Sequence, residues 1–171
     1  MRRTLAWFAV ILTGLILQST LFAPPNGFTL AGARPELMYL VTIVLAMLEG
    51  PASGATAGFA GGMAEDFLLD FPKGITALTL TLLGYVIGQL RQYIVTPSPL
   101  LPVILVATGT AAGLLFNGLV RFLLGQLNVT ALYLVRTALL SAAYNALLTP
   151  IFYPVIRRAA EASRTRRVSR W

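Results

Sequence analysis

The 171-residue chain contains no cysteine and no histidine. These absences exclude Cys or Cys/His zinc sites, thiol nucleophiles and the commonest general base of enzymes. They also leave the redox compartment unread, because there is nothing to oxidise into a disulfide. Charge is scarce too: charged residues make up 11% of the chain, against roughly a quarter in ordinary soluble domains. What fills the space is apolar. Hydrophobic residues account for 57%, in runs that recur along the whole length. A bilayer-crossing helix needs about 20 residues, so the chain has room for about six spans, short loops and a tail. No separate soluble domain fits beside them. The predicted class is all-α, a polytopic membrane helical bundle with a single transmembrane domain over 1–156 and a basic cytoplasmic tail over 157–171.

The breaks between runs are written in turn chemistry. Leu5 to Phe22 is the first apolar run, preceded by Arg2 and Arg3. It is long for a signal-peptide core, and Leu21-Phe22-Ala23 followed by Pro24 is poor cleavage context, so a retained helix is expected. Pro24-Pro25-Asn26-Gly27 ends it. Arg34-Pro35-Glu36 opens the second span, with Pro expected at the first helical position and Glu36 in the first turn; the apolar run Leu37–Leu48 is short, so a start as early as Ala31 is expected. Glu49-Gly50-Pro51 is so tight a connection that the second and third spans should form an antiparallel hairpin. The third span is expected over about Pro51–Leu69 and the fourth from Ile75 to about Leu90. Thr96-Pro97-Ser98-Pro99 precedes the fifth, Leu101 to about Leu124, and the sixth covers about Ala131–Ile156, with Pro150 and Pro154 expected to kink or fray its last turns. Asn128-Val129-Thr130 matches a glycosylation sequon but reads as chance or a helix cap.

The most informative stretch is Glu49–Gly74. At about 100° per residue, Gly50, Gly54, Ala57, Gly58 and Gly61 share one helix face, and Glu65 continues it. Asp66 and Asp70 lie on a neighbouring face. Gly84 and Gly88 make a second small-xxx-small pair in the fourth span. Small residues let backbones approach closely in lipid, so Gly50, Gly54, Gly58, Gly61, Gly84 and Gly88 are candidate packing positions. Glu65 and Asp66 sit about 6–7 Å deeper than Asp70 by helical rise, where acids face the protein interior and need partners. Arg34, Glu36, Glu65, Asp66, Asp70, Asn117, Arg121 and Arg136 are the candidates for a polar clasp or partner support, with at least one carboxylate expected to pair with Arg121 or Arg136. Asn145 reads as a helix–helix hydrogen bond.

An even number of spans puts both termini on one side. Arg2, Arg3, Arg91 and six tail arginines, nine of the thirteen basic residues, then share that side, against Arg34, Lys73, Arg121 and Arg136 on the other. The bias predicts cytoplasmic termini and an outward-facing acidic end. The tail reads as a topology signal able to gain about 1 kcal/mol per Arg at an anionic lipid surface. Nothing points to nucleic acid, to a cofactor or to a metal site. Paired acids can be catalytic within membranes, but here Asp66 and Asp70 share one helix without a flanking signature, and no nucleophile–base pair accompanies them. One acidic cluster near one surface is equally thin support for an ion route.

The order of features from Arg34-Pro35-Glu36-Leu37 through Glu49-Gly50-Pro51, glycines 54, 58 and 61, Glu65-Asp66-Phe67-Leu68-Leu69-Asp70, then Pro72, Gly74, Ala77, Gly84-Tyr85, Gly88 and Arg91, resembles the MreD family of rod shape-determining proteins. The resemblance implies a non-enzymatic protein of the bacterial inner membrane. It implies work with MreC, the MreB filament, the glycosyltransferase RodA and its transpeptidase partner in cell elongation and lateral peptidoglycan synthesis. It also implies a fold similar to the membrane-embedded substrate-binding subunits of energy-coupling-factor vitamin transporters. A ligand-binding subunit of that type is the alternative function, and would need an outward polar pocket built from Glu65, Asp66, Asn117 and Arg121. The family offers no catalytic residues to carry over.

Overall fold

The second apolar run is hydrophobic around its whole circumference, and a helix of that kind belongs inside a bundle. The computed structural model, which describes residues 2–21, 33–68, 74–93, 100–126 and 130–164, places it there. The described residues form six α-helices, α1 (Arg2–Leu21), α2 (Leu37–Glu49), α3 (Pro51–Leu68), α4 (Ile75–Leu90), α5 (Leu101–Leu123) and α6 (Ala131–Arg164), with a 3₁₀ turn over Arg91–Tyr93 after α4. Every residue of α2 from Leu37 to Ala46 is buried, and α2 packs against each of the other five helices. It is the central post, and Met38, Tyr39, Leu40, Ile43 and Val44 form the heart of the core. α5 and the Ala131–Ala160 stretch of α6 are long and apolar enough to cross a membrane. Much of their surface is exposed apolar side chain, including Leu119, Phe122, Leu132, Leu139 and Leu147.

The tightest contact in the bundle is between α3 and α4. Gly54, Gly58 and Gly62 recur every fourth residue and form a ridge without side chains. A Cβ on Gly58 would fall on the Leu80 carbonyl, one on Gly54 on the Gly84 carbonyl, and one on Gly62 on the Ala77 backbone. The two helices therefore meet backbone to backbone, in antiparallel register from Pro51 opposite Gly88 to Gly62 opposite Ala77. Such an approach is open only to residues lacking a side chain. The small-residue face read from the sequence divides in two. Gly61 turns away from α4, toward the end of the Met38 side chain in α2. Gly62, not singled out from the sequence, completes the row. Gly50 sits in the α2–α3 turn with φ 97° and Gly74 directly before α4 with φ 107°, both in the left-handed region that favours glycine.

Two boundaries differ from expectation. α2 starts at Leu37, so Pro35 and Glu36 precede the helix instead of opening it. The reason is tertiary: the Asn145 side chain of α6 takes both backbone groups of Glu36, accepting from its N–H at 3.1 Å and donating to its carbonyl at 2.8 Å. α6 also continues as helix through Pro150 and Pro154 to Arg164. Each proline withholds one N–H from the ladder without ending the helix. The breaks expected at Pro24–Gly27 and Thr96–Pro99, residues 69–73, the Asn128-Val129 half of the sequon, and the tail beyond 164 lie outside the described residues.

The two kinds of glycine contact predict different costs. Gly58→Ala should destabilise the purified protein by about 1–3 kcal/mol, because a methyl group meets fixed backbone. Gly61→Ala should cost less than about 1 kcal/mol, because the Met38 terminus can move aside. Thermal unfolding in detergent decides; equal losses would show that α3 does not approach α4 through this row.

Candidate functional site

The end of the bundle opposite the start of α1 and the end of α6 collects polar groups from all six helices. Gln18 on α1 is the hub. Its side-chain amide donates to Glu65 Oε1 at 2.8 Å and to Glu36 Oε2 at 3.2 Å, and its carbonyl accepts from the backbone N–H of Met38 at 3.1 Å. That N–H belongs to the first turn of α2, where backbone donors have no partner within the helix. Gln18 therefore caps α2 from a neighbouring helix, a role the Glu36 side chain does not fill. Arg34 pairs with Glu36, Nε to Oε1 at 3.4 Å, and the Arg34 carbonyl accepts from Ser141 Oγ of α6 at 2.7 Å.

Asp66 does the same for α4. Its Oδ2 accepts from the backbone N–H groups of Gly74 at 2.9 Å and Ala77 at 3.0 Å. The Ala77 N–H is the donor an N-cap side chain would satisfy, and the Gly74 N–H the one a side chain at the third helical position reaches in a capping box, but here the N-cap is a glycine with no side chain and the third position is an alanine. The Gly62–Ala77 contact one turn earlier delivers the carboxylate there, where the positive end of the helix dipole also favours it. The bonds that seat Glu65 and Asp66 thus run to α1 and α4. Open backbone N–H groups at the start of α4 lie against Asp66, and the Gln18 amide lies against Glu65. Asp70 and Lys73 lie outside the described residues.

The far side is built by α5 and α6. Asn117 donates to Thr79 Oγ1 of α4 at 3.3 Å and accepts from Arg121 Nε at 2.8 Å. Asn145, fully buried, also donates to Thr110 Oγ1 of α5 at 3.1 Å, so one amide joins α5, α6 and the entry to α2. Arg136 is exposed on α6. Between these walls lies a partly open cavity of about 270 Å³, lined among others by Arg34, Glu36, Tyr39, Glu65, Asn117 and Arg121. The structure brings together Arg34, Glu36, Glu65, Asn117 and Arg121 around it and leaves Arg136 outside. Gln18, Ser141, Thr110 and Thr79 are not singled out by the sequence, where their only signal is a lone amide or hydroxyl on an apolar helix.

Chemically, this arrangement ties helices together. Asp66 is committed to two backbone donors, and Asn117, Asn145 and Gln18 each bridge separate elements. Among the described residues no group of three or more acidic side chains could hold a metal ion.

A family model described as rod shape-determining protein MreD matches residues 1–159. No curated protein and no solved structure matches the chain, so likeness to energy-coupling-factor transporter subunits rests on the sequence resemblance alone.

The capping geometry predicts a graded response. Asp66→Ala should cost about 1 kcal/mol of stability and Asp66→Asn clearly less, since the amide keeps an acceptor oxygen. Asn145→Ala should cost about 1–3 kcal/mol, since it removes the acceptor of the part-buried Glu36 N–H and the buried bond to Thr110. Denaturant titration of the purified variants measures both; an Asp66→Asn loss equal to that of Asp66→Ala would contradict the capping role.

Proposed function

The chain belongs to the family of rod shape-determining proteins MreD, membrane proteins of cell-shape determination, and from that premise we propose that it is a non-enzymatic scaffold of the bacterial inner membrane. In this reading all six helices span the bilayer with both termini cytoplasmic, and the polar end faces outward. It binds MreC and so supports the placement of RodA and its transpeptidase partner, and of the MreB filament, in lateral peptidoglycan synthesis. The supporting observation is the use of the buried polar groups: they cap and cross-link helices, which makes a rigid body with an apolar perimeter. Arg157 and Arg158, exposed on the last turns of α6, begin the basic stretch that would meet anionic lipid on the cytoplasmic side.

A partner's single membrane span needs an apolar groove, and one of about 410 Å³ runs between α1 and α6, lined by Val10, Thr13, Leu17, Phe152, Val155 and Ile156 among others. Val155 is 61% exposed there, so a larger side chain at this position occupies the groove without disturbing the core. Helix association in lipid depends on close van der Waals packing, which a protruding ring prevents.

Co-purification tests the reading. Tagged protein should retain MreC through detergent extraction, and Val155→Trp should lower the recovered MreC several-fold while remaining monodisperse. Absence of MreC from the wild-type sample, with both proteins expressed normally, would overturn the scaffold reading. Full recovery with Val155→Trp would move the contact away from this groove.

A further inference from the structure

One buried carboxylate oxygen at the polar end is not used by the bundle. Glu65 is 7% exposed. Its Oε1 takes the Gln18 amide, while Oε2 is buried with no hydrogen-bond partner. A buried carboxylate oxygen without a donor is costly, and Glu65 lies on the wall of the 270 Å³ cavity. The Glu36 carboxylate and the guanidinium-bearing Arg34 and Arg121 line the same cavity. Charges of both signs therefore face one small space at the end of a bundle that sits in a membrane.

We propose that this cavity binds a small zwitterion, a primary ammonium carried a few bonds from a phosphate or carboxylate, with the ammonium seated at Glu65. A simple anion would meet two carboxylates, and a simple cation two guanidiniums; a ligand carrying both charges answers each. The ammonium must keep N–H bonds, because the group lacking a partner is an acceptor. A quaternary ammonium has none to give. Guanidinium groups present several donors in a fixed fork, so Arg34 can pair with Glu36 and still take an anionic oxygen. The volume lies at the small end of ligand sites, which suits a headgroup-sized molecule. The same chemistry comes from two sources: the headgroup of an aminophospholipid, or a free molecule such as phosphoethanolamine.

Native mass spectrometry of the delipidated full chain in detergent tests this. The protein is titrated with phosphatidylethanolamine, with phosphatidylcholine (same phosphate, no N–H) and with phosphatidylglycerol (no ammonium), and separately with phosphoethanolamine. Phosphatidylethanolamine should bind at least about tenfold more tightly than the other two lipids. If phosphoethanolamine does not bind, the ligand is the lipid; if it binds by itself, the free zwitterion suffices. Glu65→Gln keeps the acceptor for Gln18 and should abolish the preference. Equal binding of the three lipids together with no binding of phosphoethanolamine would overturn the proposal without any variant, and so would an unchanged preference in Glu65→Gln.

Discussion

The backbone-to-backbone contact between α3 and α4 is the constraint on which the rest of the polar end depends. Because Gly54, Gly58 and Gly62 carry no side chains, α4 lies against α3 along its length, with Gly62 on the Ala77 backbone. One turn further on, Asp66 reaches the start of α4, while Glu65, the next residue around the helix, reaches Gln18 of α1. A wider spacing would leave the N–H groups at the start of α4 without an acceptor and a buried carboxylate without donors, each costing about 1–3 kcal/mol. The glycine row and the acidic pair are thus one device: the first sets the distance and the second uses it.

Around that device the bundle closes through remote capping. Gln18 supplies the acceptor for the start of α2, one Asp66 oxygen accepts from two N–H groups at the start of α4, and Asn145 holds the extended lead into α2. In a soluble protein water could satisfy these groups; in an apolar surround they must be met internally. The same economy explains why most of the buried polar side chains, Glu65, Asp66, Thr76, Thr79, Asn117, Ser141 and Asn145 among them, gather toward one end. It also bears on function. A body whose buried polar groups are mostly spent on its own integrity offers partners an apolar perimeter and a stable outline, and at the polar end Glu65 keeps one carboxylate oxygen without a hydrogen-bond partner.

How much of this the sequence displays depends on the range of the interaction. Helix content and the breaks near Gly50-Pro51, Gly74 and Arg91 are local properties of glycine, proline and apolar runs, and were legible. So was the close-packing role of a small-residue face. Its direction was not: Gly61 and Gly62 are adjacent in sequence, and only the placement of α4 decides which joins the row. The late start of α2 was hidden for the same reason, since Asn145 lies more than a hundred residues from Glu36. The hydrogen-bond partners of Glu65 and Asp66 are hidden in the sequence because they are an amide and backbone N–H groups on other helices, which no local pattern marks. The central position of α2 was readable in its unbroken apolar stretch from Leu37 to Val41, had that stretch been weighed above the glycines of α3.

A double-mutant cycle on Gly62→Ala and Asp66→Ala tests the central claim most directly, using unfolding free energies of the two single variants and the double variant. If the glycine contact is what delivers Asp66 to α4, the Cβ at position 62 already displaces the cap. The second substitution then adds little, giving a coupling of about 1 kcal/mol or more. Strictly additive losses would contradict the account, because they would show that Asp66 finds the start of α4 whether or not the two backbones touch.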